Sequence, residues 1–192
     1  MTICGIDPGL TGALAFVSDR GKVQAIVPMP LHDPEPFKRR KTKRRVNWWA
    51  VVAAIKAEAP DLVVLERQGP MPRQGVSSTF AIGYQYGALT GILAALGIPF
   101  ELVEPVVWKR DLELLGHDKA HSLELARSLM PEAAPLMTRQ KDHGLAEAAL
   151  IALWKVRQHG TRRLEPKRSR ALPASCPATK LGGEHGHRLP QS

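Results

Sequence analysis

Cysteine is scarce in this sequence: two in 192 residues, Cys4 in the first apolar segment and Cys176 near the far end. That excludes a disulfide framework and a cysteine-based zinc site, and it fits a reducing compartment. The N-terminus shows neither the basic lead nor the apolar core of an export signal, so a cytoplasmic location is expected. Acidic residues are in deficit as well, 18 against 27 Lys and Arg, for a net charge of +9. A polyanionic partner follows, nucleic acid ahead of an acidic membrane surface. From Gln74 to Phe100 charge is absent altogether, over a stretch long enough to span a bilayer. Tyr84, Gln85, Tyr86 and Thr90 near its middle, its five glycines and the strand-like "FELVE" that follows favour a helix of a soluble protein and no membrane partner.

What is present suffices for one core, with 44% of residues hydrophobic. One folded domain is expected over residues 1–160. From Thr161 apolar periodicity gives way to Pro, Gly, Ser and basic residues, so 161–192 reads as a basic disordered tail; seven basic against two acidic residues there carry +5 of the +9.

Three short strands open the chain, "TICGID", "GALAFVS" and "KVQAIVP", with glycine-containing turns that suit antiparallel pairing. A basic loop, "KRRKTKRR", precedes a helix that Asn47 can cap and Pro60 ends. "DLVVLE" is apolar at four consecutive positions, as in a strand covered on both faces. After a Gly- and Pro-containing loop, a helix is expected from about Ser78 to Leu96. Its Gly83, Gly87, Gly91 and Ala95 repeat every fourth position and share a face. Tight packing of that face on the sheet is the expectation; a subunit contact is the alternative. A fifth strand, two short helical stretches and a last helix, "LAEAALIALWKVRQHG", complete the domain.

Two strands end in a carboxylate, Asp7 and Glu66. Alternation puts Asp7 on the face of Ile3, and Glu66 on that of Leu62 and Val64, so neighbouring strands would bring both acids to one end of a sheet. Glu147, flanked by Ala146 and Ala148, lies on the apolar face of the last helix. Asp142 precedes it by five residues, about 140° around an ideal helix, and suits the helix entrance, as an N-cap, a participant in the site, or both. Burying ionised carboxylates needs a compensating charge. An all-oxygen set from Asp7, Glu66, Asp142 and Glu147 suits Mg²⁺, and two ions with Mn²⁺ as a substitute would serve phosphodiester hydrolysis. His143 is a possible auxiliary ligand or proton carrier.

"GIDPGLTGALAF", "LVVLERQ", "QGVSSTFAIGYQYGALTGIL", "PVVWKR", "DKAHS" and "KDHGLAEAALIALW", in this order over residues 1–158, resemble the RuvC-like crossover junction endonucleases, particularly the phage and prophage forms. The resemblance implies an α/β RNase H-like fold: a central mixed five-stranded sheet with helices on both faces. It also implies Mg²⁺-dependent resolution of Holliday junctions by paired cleavage, in a homodimer bound to four-way branched DNA. Asp7, Glu66 and Glu147 match the family's acids. Cellular members place the last two ligands three residues apart, where this chain has Gly144, so the fourth ligand stands between Asp142 and His143. They also carry an aromatic in the loop after the second acid, where this chain has Gly69-Pro70-Met71.

Lys38, Arg39, Arg40, Lys41, Lys43, Arg44 and Arg45 are expected to track DNA phosphates, with Arg73, Lys109 and Lys119 adding contacts. Within nuclease chemistry, the alternative is a broader branched-DNA endonuclease acting on forks, flaps and three-way junctions. A non-catalytic DNA-binding protein on the same scaffold is the lesser alternative, one that loss of an acid would favour, whereas all three principal acids are present. A sugar-kinase-like ATPase needs a second phosphate motif and a second domain.

Overall fold

The structure, a computed structural model, describes residues 1–32, 44–70 and 72–164, with side chains through residue 160. Lys38, Arg39, Arg40, Lys41 and Lys43, Met71, and the tail from residue 165, with Cys176, lie outside the described residues.

β1 (Thr2–Asp7), β2 (Ala13–Ser18) and β3 (Val23–Pro28) form the expected antiparallel meander. Gly12 closes its first turn, and a Cβ there would lie 2.1 Å from the Asp7 carbonyl oxygen, so only glycine fits. An isolated bridge from Leu31 to Val46 clips the two ends of the basic loop together. α1 (Trp48–Glu58) then starts at Asn47, whose side chain accepts from the Ala50 N–H at 3.2 Å. It ends on Ala59 in the left-handed region, ahead of Pro60.

α1 leads into β4 (Leu62–Glu66), parallel to β1, and α2 (Val76–Ala95) into β5 (Phe100–Val103), parallel to β4. The sheet order is β3-β2-β1-β4-β5. α3 (Pro105–Asp111), α4 (Lys119–Leu129), two 3-10 turns (Pro131–Leu136 and Gln140–Asp142) and α5 (His143–Leu164) follow. α5 runs four residues past the expected boundary at 160.

The alternation read from β1 and β4 holds. Ile3, Ala15, Val17 and Val64 pack under α3, α4 and α5, whereas Cys4, Ile6, Phe16, Val63 and Leu65 pack with Val51 and Ile55 of α1 and Leu89 and Leu93 of α2. α5 crosses β1 so closely that a Cβ on Gly5 would lie 2.2 Å from the Ala148 carbonyl oxygen and 2.6 Å from the Ala152 nitrogen. Cys4, fully buried on the other face, has its thiol pushed up by burial and is a core residue.

The glycine face of α2 is a correction. It does not pack on the sheet: a Cβ on Gly83, Gly87 or Gly91 would meet nothing within 4 Å. The side buried instead carries Leu89 and Leu93. Two residues along an ideal helix is about 200°, so the sheet takes the leucine side and leaves the glycine side outward. Among the described residues no helix is long and apolar enough to cross a membrane.

Candidate active site

β1 and β4 run parallel with Ile6 beside Leu65, so the next residues along, Asp7 and Glu66, come to the same edge of the sheet. Glu147 arrives from α5. All three are buried, at 8% exposure each. Their approach depends on glycine at a further point, because a Cβ on Gly144 would lie 2.0 Å from the Thr11 carbonyl oxygen. The position three residues before Glu147 is thus pressed against the β1–β2 turn and admits no side chain.

The three acids act on one another. Asp7 is raised above its ordinary range, first by burial and next by the charge of Glu147, against the pull of the Gly9 N–H, which donates to its Oδ1 at 3.2 Å. Glu66 is pushed up to about 7 by burial and then by the charge of Asp7, although Trp108 Nε1 donates to its Oε1 at 2.9 Å. Glu147 Oε1 accepts from Lys109 Nζ at 3.0 Å. Lys109 also lies 5.1 Å from the centre of the Trp108 ring. Adjacent residues of α3 thus hold two of the three acids, a role for Trp108 that its apolar, aromatic character in "PVVWKR" does not disclose.

Asp142 is engaged by a different partner. It forms an ion pair with Arg139 at 2.9 Å, and its Oδ2 accepts the Arg139 backbone N–H at 2.8 Å. These contacts hold its carboxyl below the ordinary range, the Arg139 side chain contributing most. His143 Nδ1 faces the Gln140 carbonyl at 3.3 Å and its Nε2 faces Lys119 Nζ at 3.1 Å. Since a carbonyl only accepts, Nδ1 carries the proton and Nε2 accepts from the ammonium. Arg44, Arg45 and Arg73 are exposed. Beside Glu66 a groove of about 340 Å³ opens between the loop after β4, Ile82 of α2 and Pro105.

The donor chemistry of Asp7, Glu66 and Glu147, all oxygen, buried and mutually repelling, fits a hard divalent cation. As the side chains lie, no three His, Cys, Asp or Glu residues among those described stand together as a metal-holding group. Glu147 is turned to Lys109.

With this geometry in place, the fold can be compared: a mixed five-stranded sheet with helices on both faces is the fold of the solved RuvC-type resolvases. The RuvC of T. thermophilus, solved in complex with a Holliday junction substrate, matches with a TM-score of 0.58 at 19% identity, over 83% of this chain and 96% of that one. The yeast mitochondrial Holliday junction resolvase Ydc2 matches with a TM-score of 0.50 at 16% identity, over 84% and 80%. In sequence, 85 residues are 35% identical to the chloroplastic Holliday junction resolvase MOC1 of Chlamydomonas reinhardtii. That stretch is 44% of this chain and 10% of the curated relative. No family model matches the chain.

Proposed function

We propose that this chain is a divalent-metal-dependent endodeoxyribonuclease that resolves four-way DNA junctions by paired cleavage. The observation that carries the reading is the convergence of three buried acids, from β1, β4 and α5, at one edge of a sheet whose fold is shared with proteins named as Holliday junction resolvases. Asp7, Glu66 and Glu147 would hold Mg²⁺, with Mn²⁺ as a substitute. Ions held there would supply Lewis-acid stabilisation of the attacking and leaving oxygens of a phosphodiester.

The chain's own residues prepare the site. Trp108 fixes the Glu66 carboxylate, the Gly9 N–H fixes that of Asp7, and the ammonium groups of Lys109 and Lys119 offer positive charge to a phosphate. Between the two candidates for a fourth donor, His143 is favoured, because Asp142 is engaged by Arg139. Arg44, Arg45 and Arg73, all exposed, would add phosphate contacts. The basic residues of the 38–43 segment would join them.

A homodimer completes the proposal. α2 is uncharged and presents Phe80 and Tyr84, 75% and 56% exposed, beside the outward glycines, a face that suits a second copy of itself. Sedimentation at micromolar concentration is expected to show two subunits; a monomer making paired cuts would remove the dimer from the proposal.

The deciding experiment is a cleavage assay on matched four-way, three-way, forked and linear duplex DNA with Mg²⁺. Paired cuts in the four-way junction are expected, and Asp7→Asn should lower them by at least about 100-fold while junction binding persists. Equal cutting of linear duplex would overturn the junction reading. Undiminished cutting by Asp7→Asn would overturn the site. In the same assay His143→Ala is expected to lose more activity than Asp142→Asn.

A further inference from the structure

Lys109 is the cation already inside the acid cluster. Its ammonium is 3.0 Å from Glu147 Oε1 and 5.1 Å from the centre of the Trp108 ring, and Trp108 in turn donates to Glu66 at 2.9 Å. Its charge also acts on Asp7 and on Glu66. One ammonium therefore bonds one acid and bears electrostatically on the other two, from a helix turn that is otherwise core: Trp108 is fully buried. The Lys109 side chain keeps 29% of its surface exposed, which leaves it a path outward.

We propose that Lys109 is a built-in stand-in for the divalent cation: in the metal-free protein it neutralises Glu147 and holds that carboxylate away from the other two, and a metal ion enters by displacing it. This rests on the reading of Asp7, Glu66 and Glu147 as metal-holding acids. Three buried carboxylates without a counter-charge would repel one another strongly enough to open the strand edge or to take up protons. An ammonium on a flexible four-carbon stem answers that repulsion and can leave, which a guanidinium bonded through two nitrogens does less readily. The arrangement makes metal entry and DNA binding cooperative: a phosphate that accepts the Lys109 ammonium frees Glu147 for the metal.

The test measures Mn²⁺ binding by titration calorimetry and by the Mn²⁺ electron paramagnetic resonance signal, on the full chain without DNA, since cleavage would confound the lysine's two roles. Lys109→Met, which keeps the stem over Trp108, is expected to bind Mn²⁺ about 10-fold or more tightly than the wild type, a gain of about 1.4 kcal/mol. Its melting temperature in EDTA should fall, and Mn²⁺ should restore it by a larger shift than in the wild type. Lys109→Arg, still cationic, should bind no more tightly than the wild type. Equal or weaker Mn²⁺ binding by a folded Lys109→Met protein would overturn the stand-in role. If Lys109→Met does not fold, Lys109→Gln is read the same way. Absence of Mn²⁺ binding by the wild type with and without junction DNA, together with absence of cleavage, would instead overturn the metal-dependent reading on which this rests.

Discussion

α5 and α2 carry the same signal and meet opposite fates. Each is rich in small residues at helical spacing: Gly144, Ala148 and Ala152 on one, Gly83, Gly87 and Gly91 on the other. In α5 those residues press on backbone, Ala148 and Ala152 against Gly5 and Gly144 against Thr11. In α2 they face outward with nothing within 4 Å. Small residues therefore declare that something can approach closely, but not what approaches. For α5 the approaching partner is β1 of the same chain. The result shapes the candidate site, because a helix lying that low delivers Glu147 to the strand edge beside Asp7 and Glu66.

The sharpest way to break the comparison is to add one Cβ on each side. Gly5→Val places carbon against the α5 backbone, where relief requires moving the helix; a loss of more than about 3 kcal/mol is expected, with no cooperative thermal transition under ordinary conditions. A native-like melting curve would refute the close crossing.

The next largest effect belongs to the acids that this crossing buries. Burial and the charge of Asp7 push Glu66 up to about 7 in the folded protein, from an ordinary value near 4.5. The folded state therefore holds the proton more tightly between these values, and stability is greatest below about 4.5 and falls as pH rises toward 7. The full difference is roughly 3 kcal/mol in the metal-free protein. Glu66→Gln should flatten that decline and melt higher than the wild type at pH 8 in EDTA. Mg²⁺ should raise the wild-type melting temperature at pH 8 more than at pH 5. Thermal scans at the two pH values, with and without Mg²⁺, check both.

Asp142→Asn tests the α5 entrance. Its ion-pair partner Arg139 is 65% exposed, so solvent screens the pair, and a loss of about 1 kcal/mol is expected at pH 7. Because the folded carboxyl lies below its ordinary range, that contribution is present above about pH 4 and disappears as pH falls through the folded value. Denaturant titration at pH 7 and pH 3 measures it.

Smallest, and opposite in sign to Gly5→Val, is Gly87→Ala. With open space at the new Cβ, the gain in helix propensity should stabilise by about 0.5–1 kcal/mol, read as a rise of a few degrees in melting temperature. Destabilisation would mean that the face is packed after all. Gly87→Leu should also fold, and by blocking close approach should shift sedimentation toward a monomer.

Much of the candidate site was legible because it is local. Asp7 and Glu66 announce themselves as charges ending apolar strands, and period-two alternation assigns their faces before any partner is known. Glu147 is marked by its place among buried alanines. The Asn47 cap and the Pro60 stop are equally local, needing only one turn of chain. The partners of these groups were not legible. Trp108 reads as core, and nothing in its neighbours tells that its indole N–H reaches a carboxylate 42 residues away. Arg139 sits in a polar stretch without periodicity, so its hold on Asp142 leaves no pattern in the sequence.

What the sequence determined by itself is the set of strands and helices, the side each strand residue faces and the acids fit for a hard cation, since these follow from side-chain period and the chemistry of carboxylates over short spans. Only the tertiary structure decided which small-residue face is buried, that Gly144 leaves no room for a ligand, and that Lys109 rather than water answers Glu147. Those outcomes depend on distances between segments far apart in the chain, which packing alone sets.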